Sequence, residues 1–121
     1  MSGYDLVHLP TGRIAAALTR AEGWWEKGWG VLGRRALGPG EGLWLPGVAS
    51  VHTAGVRFAL DLLFLDDDFR AVRLSPDTPP GRWLVRGRGA RHTLELGAGT
   101  LATRVPEATA GEAWAIRPRA P

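Results

Sequence analysis

The chain of 121 residues contains no cysteine, no asparagine and no glutamine, one methionine, Met1, and one lysine, Lys27. Without cysteine, neither a disulfide framework nor a thiolate metal site can form, and an extracellular address gains no support. No run approaches the roughly 18 apolar residues that a membrane-spanning helix requires, so no membrane span is expected. Residues 1–10 show neither a basic n-region nor a long apolar h-region, and the expected location is the cytoplasm. A large excess of one charge is also missing. The 15 basic and 12 acidic residues leave a net charge of +3, less than dedicated nucleic-acid domains carry, so a nucleic-acid partner is not the first expectation. Every basic residue except Lys27 is an arginine. That bias, together with the missing Asn and Gln, fits either a GC-rich genome or selection against heat-labile side chains in a thermostable protein.

The length fits a single domain over residues 1–121, large enough to bury about two-thirds of its unfolded surface. Residues 5–9 and 13–18 flank Pro10-Thr11-Gly12 and predict a first hairpin. Thr19-Arg20-Ala21-Glu22 matches a capping box, followed by Trp25, Trp29 and Leu32 at helical spacing with Gly33 as a stop. Gly38 to Gly47 is turn-rich and encloses a short strand at 43–45. It has neither of the glycine-rich phosphate-loop spacings. The clearest strand spans Val56 to Leu65, with Val56, Phe58, Leu60, Leu62 and Phe64 on one face by strict alternation. Asp66-Asp67-Asp68 leads into a return strand from Arg70 to Leu74, and Pro76, Pro79 and Pro80 are expected to break the chain. Short strands at 83–85, 93–96 and 113–117, with a helical turn or two between Gly99 and Val105, complete the pattern. The expected fold class is all-β with one or two short helices, a small jelly-roll-like β-sandwich or barrel.

Chemistry-bearing motifs are few. The aspartates at 66–68 lack the ligand and glycine spacing of an EF-hand loop, and His8, His52 and His92 lie too far apart in sequence for a metal motif, so no metal or cofactor is expected. No serine sits in a nucleophile elbow. The segment 82–92 gathers Arg82, Arg86, Arg88, Arg91 and His92 around Trp83, a pattern that can hold phosphates and stack bases. Among the six tryptophans, Trp24, Trp44 and Trp83 are the candidates for exposure, of the kind sugar-binding surfaces use.

The most informative group is His52-Thr53, Arg57 and Asp61, which puts charges on one face of an otherwise apolar strand. Arg57 and Asp61 lie about 13 Å apart along such a strand. Each therefore needs a cross-strand partner, water or a ligand. Arg91, Thr93 and Glu95 share a strand face, which makes Glu95 a candidate partner for Arg57. His52, Thr53, Arg57, Asp61 and Glu95 are thus either a structural ion-pair network or a ligand site.

These residues carry a family resemblance. Trp29-Gly30-Val31-Leu32-Gly33-Arg34 resembles a G-L-L-G-R segment, Gly40-Glu41-Gly42-Leu43 a G-E-G-L element, and His52 to Asp66 the pattern H-T-x-x-M-R-F-P-[IL]-D-V-V-F-L-D. Leu94-Glu95-Leu96 with Ala98-Gly99 resembles V-L-E-L-x-A-G. Together they resemble the family called domain of unknown function 192, over roughly residues 13–117. The sequence departs from it at Val56, Ala59, Glu112 and Phe69, the last replacing a hairpin glycine. The resemblance implies a small jelly-roll-like sandwich or barrel and marks His52, Thr53, Arg57, Asp61 and Glu95 as landmarks without naming a task. Many relatives of that family carry export signals; this sequence shows none.

Two functions from different classes lead the expectations. One is a non-enzymatic binding module for a small polar or anionic ligand, carbohydrate included, with Arg57 as anion fork and Asp61, Glu95 and His52 around it. The other is an enzyme using Asp61 or Glu95 with His52 as general acid and base. A structural or protein-interaction domain with arginine-mediated nucleic-acid contact is a third.

Overall fold

The computed structural model describes residues 3–21, 37–51, 58–82 and 84–119. Among them the fold is all-β, with nine strands and one short helix. The strands are β1 (Tyr4–His8), β2 (Arg13–Arg20), β3 (Glu41–Pro46), β4 (Ser50–Val51), β5 (Leu60–Leu65), β6 (Ala71–Thr78), β7 (Val85–Arg86), β8 (His92–Gly97) and β9 (Trp114–Pro118). The helix, α1, covers Thr100–Arg104. Seven strands form one sheet in the order β6-β5-β8-β3-β2-β1-β9, and β4 pairs with β7 in a separate small sheet. Among the described residues, β2 and β3 run parallel and every other strand pairing is antiparallel.

The large sheet curls into a half-barrel. Its two outermost strands meet at one corner, where Arg70 bridges Ala113 and the Trp114 N–H donates to the Phe69 carbonyl at 2.9 Å. Because side chains alternate across a strand, the curled sheet has two apolar faces. Leu63 and Leu65 of β5 and Leu94 and Leu96 of β8 point inward with Leu6, Leu18, Trp114 and the α1 residue Leu101. Leu60, Leu62 and Phe64 point the other way and pack with Leu43, Leu45, Val85 and Ala90, beneath the β4–β7 layer. All six residues of β5 are buried, so this strand feeds both cores.

The predicted first hairpin, the strand at 43–45 and the strands at 93–96 and 113–117 are present, each within a residue or two. Other expectations need correction. Thr19 and Arg20 belong to β2, paired in parallel with Leu43 and Trp44, so no capping box starts at Thr19. The tertiary pairing of the strand outweighs a local capping signal. The tryptophan-bearing helix expected after it lies outside the described residues, as does Trp83. The strand predicted to begin at Val56 begins at Leu60; Phe58 and Ala59 precede it as irregular chain, and residues 52–57 are not described. Pro76 does not break the chain, because β6 runs through it to Thr78. Since β6 is the outermost strand, the missing N–H of Pro76 leaves no ladder bond unmade.

Candidate functional site

Asp61 is the second residue of β5 and is only 1% exposed. Its side chain points into the inner core at the end of the sheet where α1 begins. There its carboxylate takes three backbone N–H donors. Oδ2 accepts from Leu101 at 2.8 Å, and Oδ1 accepts from Asp77 at 2.8 Å and Gly99 at 3.3 Å. The local reason lies in α1. Its N-cap is Gly99, at φ +87°, which has no side chain to satisfy the first-turn donors. Asp61 supplies that cap from 40 residues away in sequence. Thr100 adds a second pin: its hydroxyl donates to the Gly97 carbonyl at 2.6 Å and accepts from the Gly40 N–H at 2.9 Å. Gly97 itself admits no side chain, because a Cβ there would run into the Gly38 carbonyl.

Through Asp77 the same carboxylate reaches the sheet's edge. Asp77 adopts a left-handed backbone, φ +50°, which aspartate tolerates better than most residues. Beside it the end of β6 and the start of β7 enclose a polar cleft of about 290 Å³, lined by Arg73, Ser75, Asp77, Thr78, Arg82 and Leu84 among others. The Thr78 hydroxyl donates to the Ser75 carbonyl at 2.8 Å, so in the 2.7 Å contact between the two hydroxyls Ser75 is the donor. Arg73 is held by one N–H to the Arg86 carbonyl at 2.8 Å, leaving the rest of its donor fork uncommitted to that bond. The lining of the cleft thus includes the side chains of Arg73 and Arg82, with oxygen acceptors from Ser75 and Asp77.

The five residues singled out in the sequence are not all brought together. His52, Thr53 and Arg57 lie outside the described residues, and with them the expected Arg57–Glu95 pairing. Glu95 is buried on β8, but it is paired across the ladder with Leu62, whereas Asp61 is paired with Leu96. Directly paired residues share a face, so Glu95 faces the outer core and Asp61 the inner one. A single substrate cannot sit between them, and an acid–base mechanism with His52 could recruit one of the two at most. Thr93 shares the Glu95 face and donates to the Val48 carbonyl at 2.6 Å.

The sequence marks Asp61 as a charge that needs a partner, and points to a side chain, water or ligand. The partners are backbone N–H groups, and the available signal was Gly99, a helix start with no capping side chain. The cleft residues Arg73, Ser75 and Thr78 carried no motif at all. A third polar cluster was also unforeseen. His8, fully buried, faces Thr11 Oγ1 through Nδ1 at 2.9 Å and Glu112 Oε1 through Nε2 at 3.0 Å, with its ring 4.7 Å from that of Trp114. A bond from the Thr109 N–H and then His8 hold the Glu112 carboxyl below its usual range. This cluster ties the β1–β2 turn to residues 109–112. Among the described residues, no three His, Asp or Glu side chains gather as metal ligands would. No helix among them is long and apolar enough to cross a membrane.

Comparison with known proteins adds a family and a fold. A family model, DUF192, described as an uncharacterized ACR, matches residues 7–107. No curated protein matched the chain. The fold is similar to that of a Sinorhizobium meliloti protein described as a "putative transcription regulator", with a TM-score of 0.79 and 19% identity over 96% of this chain and 94% of that one. It is similar also to a protein of unknown function from Novosphingobium aromaticivorans, with a TM-score of 0.74 and 18% identity over 98% of this chain and 84% of the other.

Proposed function

The chain belongs to the DUF192 family, and from that premise we propose that it is a non-enzymatic binding module for a small, hydroxyl-bearing anion. The observation that carries this reading is the cleft between β6 and β7, where two arginines and two hydroxyls line about 290 Å³ of polar space. Guanidinium groups present a planar fork of donors suited to carboxylate or phosphate. The Ser75 hydroxyl and the Asp77 carboxylate, as acceptors, suit hydroxyl groups of the same ligand. Asp61 serves as a positioning residue, because its bond to the Asp77 N–H fixes the end of β6 that forms one wall. His52, Thr53 and Arg57 are retained as candidate ligand contacts on the strength of the sequence pattern, and Glu95 as a candidate on the opposite face of the sheet.

A thermal-shift and calorimetric screen with inorganic phosphate, glycerol phosphate, gluconate, glucuronate and nucleoside monophosphates tests the reading. A ligand at a hundred times its Kd stabilises the folded state by about 2.7 kcal/mol, a Tm rise of several degrees for a domain of this size. Saturable stabilisation that disappears in the Arg73→Ala/Arg82→Ala double variant supports it. No stabilisation by any anion, or stabilisation that survives the double variant unchanged, refutes it. Arg57→Ala in the same screen tests whether the sequence-predicted fork contributes.

A further inference from the structure

The end of the sheet opposite α1 holds a second group that the cleft does not use. Tyr4 on β1, Trp44 on β3, His92 on β8 and Phe69 in the β5–β6 turn come together there, all half-buried. Tyr4 meets Trp44 edge-on at 5.1 Å, the Trp44 and His92 centroids are 5.9 Å apart, and Phe69 stacks on His92 at 4.6 Å. The guanidinium of Arg20, exposed and paired across the sheet with Trp44, lies 5.0 Å from the Trp44 ring.

Two features set this group apart from ordinary core. Trp114, which packs in the same inner cluster, is 2% exposed, whereas the four rings at this end all retain contact with water. Phe69 also holds its place at a cost. It sits at φ +59°, the left-handed region that a glycine would occupy freely and a bulky residue enters only under strain. Its ring is thereby set on His92.

The polar groups are of both kinds. The Trp44 Nε1–H donates to His92 Nδ1 at 3.1 Å, which places the histidine's own proton on Nε2, a donor. Arg20 adds donors, the Tyr4 hydroxyl both donates and accepts, and the exposed Asp67 carboxylate lies within electrostatic reach of His92. Ring edges flanked by donors and acceptors, with a charge of each sign nearby in Arg20 and Asp67, suit a neutral pyranose, whose C–H face packs on aromatic rings while its hydroxyls both give and take hydrogen bonds. We propose that this aromatic end, formed by Tyr4, Trp44, Phe69 and His92 with Arg20 at its rim, is a carbohydrate subsite for a neutral pyranose ring.

Titration of the whole chain by NMR tests this, following the Trp44 indole N–H, identified by its loss in Trp44→Phe. The probes are cellobiose, maltose and N,N′-diacetylchitobiose, with sorbitol as an open-chain polyol and adenosine as a planar ring. The expected result is a saturable shift with at least one disaccharide, absent with sorbitol, and an affinity at least tenfold weaker in Arg20→Ala and in Phe69→Gly. Phe69→Gly suits the left-handed backbone, so it should keep the fold while removing a ring. No saturable shift with any disaccharide, an equal response to sorbitol, saturation by adenosine alone, or unchanged affinity in Phe69→Gly overturns the proposal. The anion screen reports on the β6–β7 cleft at the other end of the sheet, so the two readings fail independently.

Discussion

The two ends of strands β5 and β8 are built from the same alternating pattern yet resolve their polar groups in opposite ways. At the α1 end, one carboxylate is buried completely and its partners are three backbone N–H groups, drawn from a strand and from the helix start. At the aromatic end the polar atoms meet other side chains, half in water, and one bond depends on which histidine nitrogen holds the proton. Backbone N–H groups neither rotate away nor change their donor state, so the partners at the first end are fixed. Side-chain partners can rotate or titrate, so the second is adjustable. A rigid end supports the geometry of a cleft, and an adjustable one suits a surface that must accept a ring.

The sharpest test of this contrast is Asp61→Ala. It would leave the buried Leu101 N–H without its acceptor, at about 1–3 kcal/mol, and would remove a bond of about 1 kcal/mol from each of the partly buried N–H groups of Asp77 and Gly99. A loss of at least about 3 kcal/mol in urea unfolding is expected, a large share of the roughly 5–15 kcal/mol typical of a domain. A loss under about 1 kcal/mol would erase the distinction between the ends.

Trp44→Phe should cost less, about 1–2 kcal/mol near neutral pH, since it removes one hydrogen bond and some packing from a half-exposed site. Its pH dependence is more telling. Burial lowers the His92 pKa from 6.5, Asp67 opposes this by favouring the charged ring, and Arg20 adds to the lowering. Between the lowered folded value and 6.5 the unfolded chain binds the extra proton, so stability rises with pH there. The contribution is therefore complete above about 6.5 and drains away as pH falls through the folded value. A protonated ring cannot accept from Trp44, so the difference between wild type and Trp44→Phe should shrink on acidification. A difference that stays constant between pH 7.5 and 4.5 would show that the Trp44–His92 bond is not coupled to protonation.

The smallest effect is expected for Arg20→Ala, about 0.5 kcal/mol, as for a cation–π contact at an exposed site. Chemical unfolding at two salt concentrations measures it. A loss comparable with that of Asp61→Ala would mean that the aromatic end is a structural cap and not an adjustable surface.

Much of this architecture is legible from short-range pattern. The alternation in β5 and the turn at Pro10-Thr11-Gly12 give strands and a hairpin, because side-chain direction in a strand is set residue by residue. Asp61 stands out for the same reason, a charge in an apolar run. The ladder sets it on the opposite face from Glu95. Register depends on which residues of two strands pair, and the pairing of Asp61 with Leu96 sends Glu95 to the other face. Likewise Pro76 reads as a break until β6 is known to be the outermost strand.

By itself, then, the sequence determined the all-β class, the family, and the fact that Asp61 must find partners. Tertiary structure alone decided who those partners are and which rings share a surface. Asp61 bonds to residues 16, 38 and 40 positions away, and the aromatic end draws on three strands and a turn. Local periodicity fixes the face on which a side chain emerges. Only the curl and register of the sheet fix what it meets there.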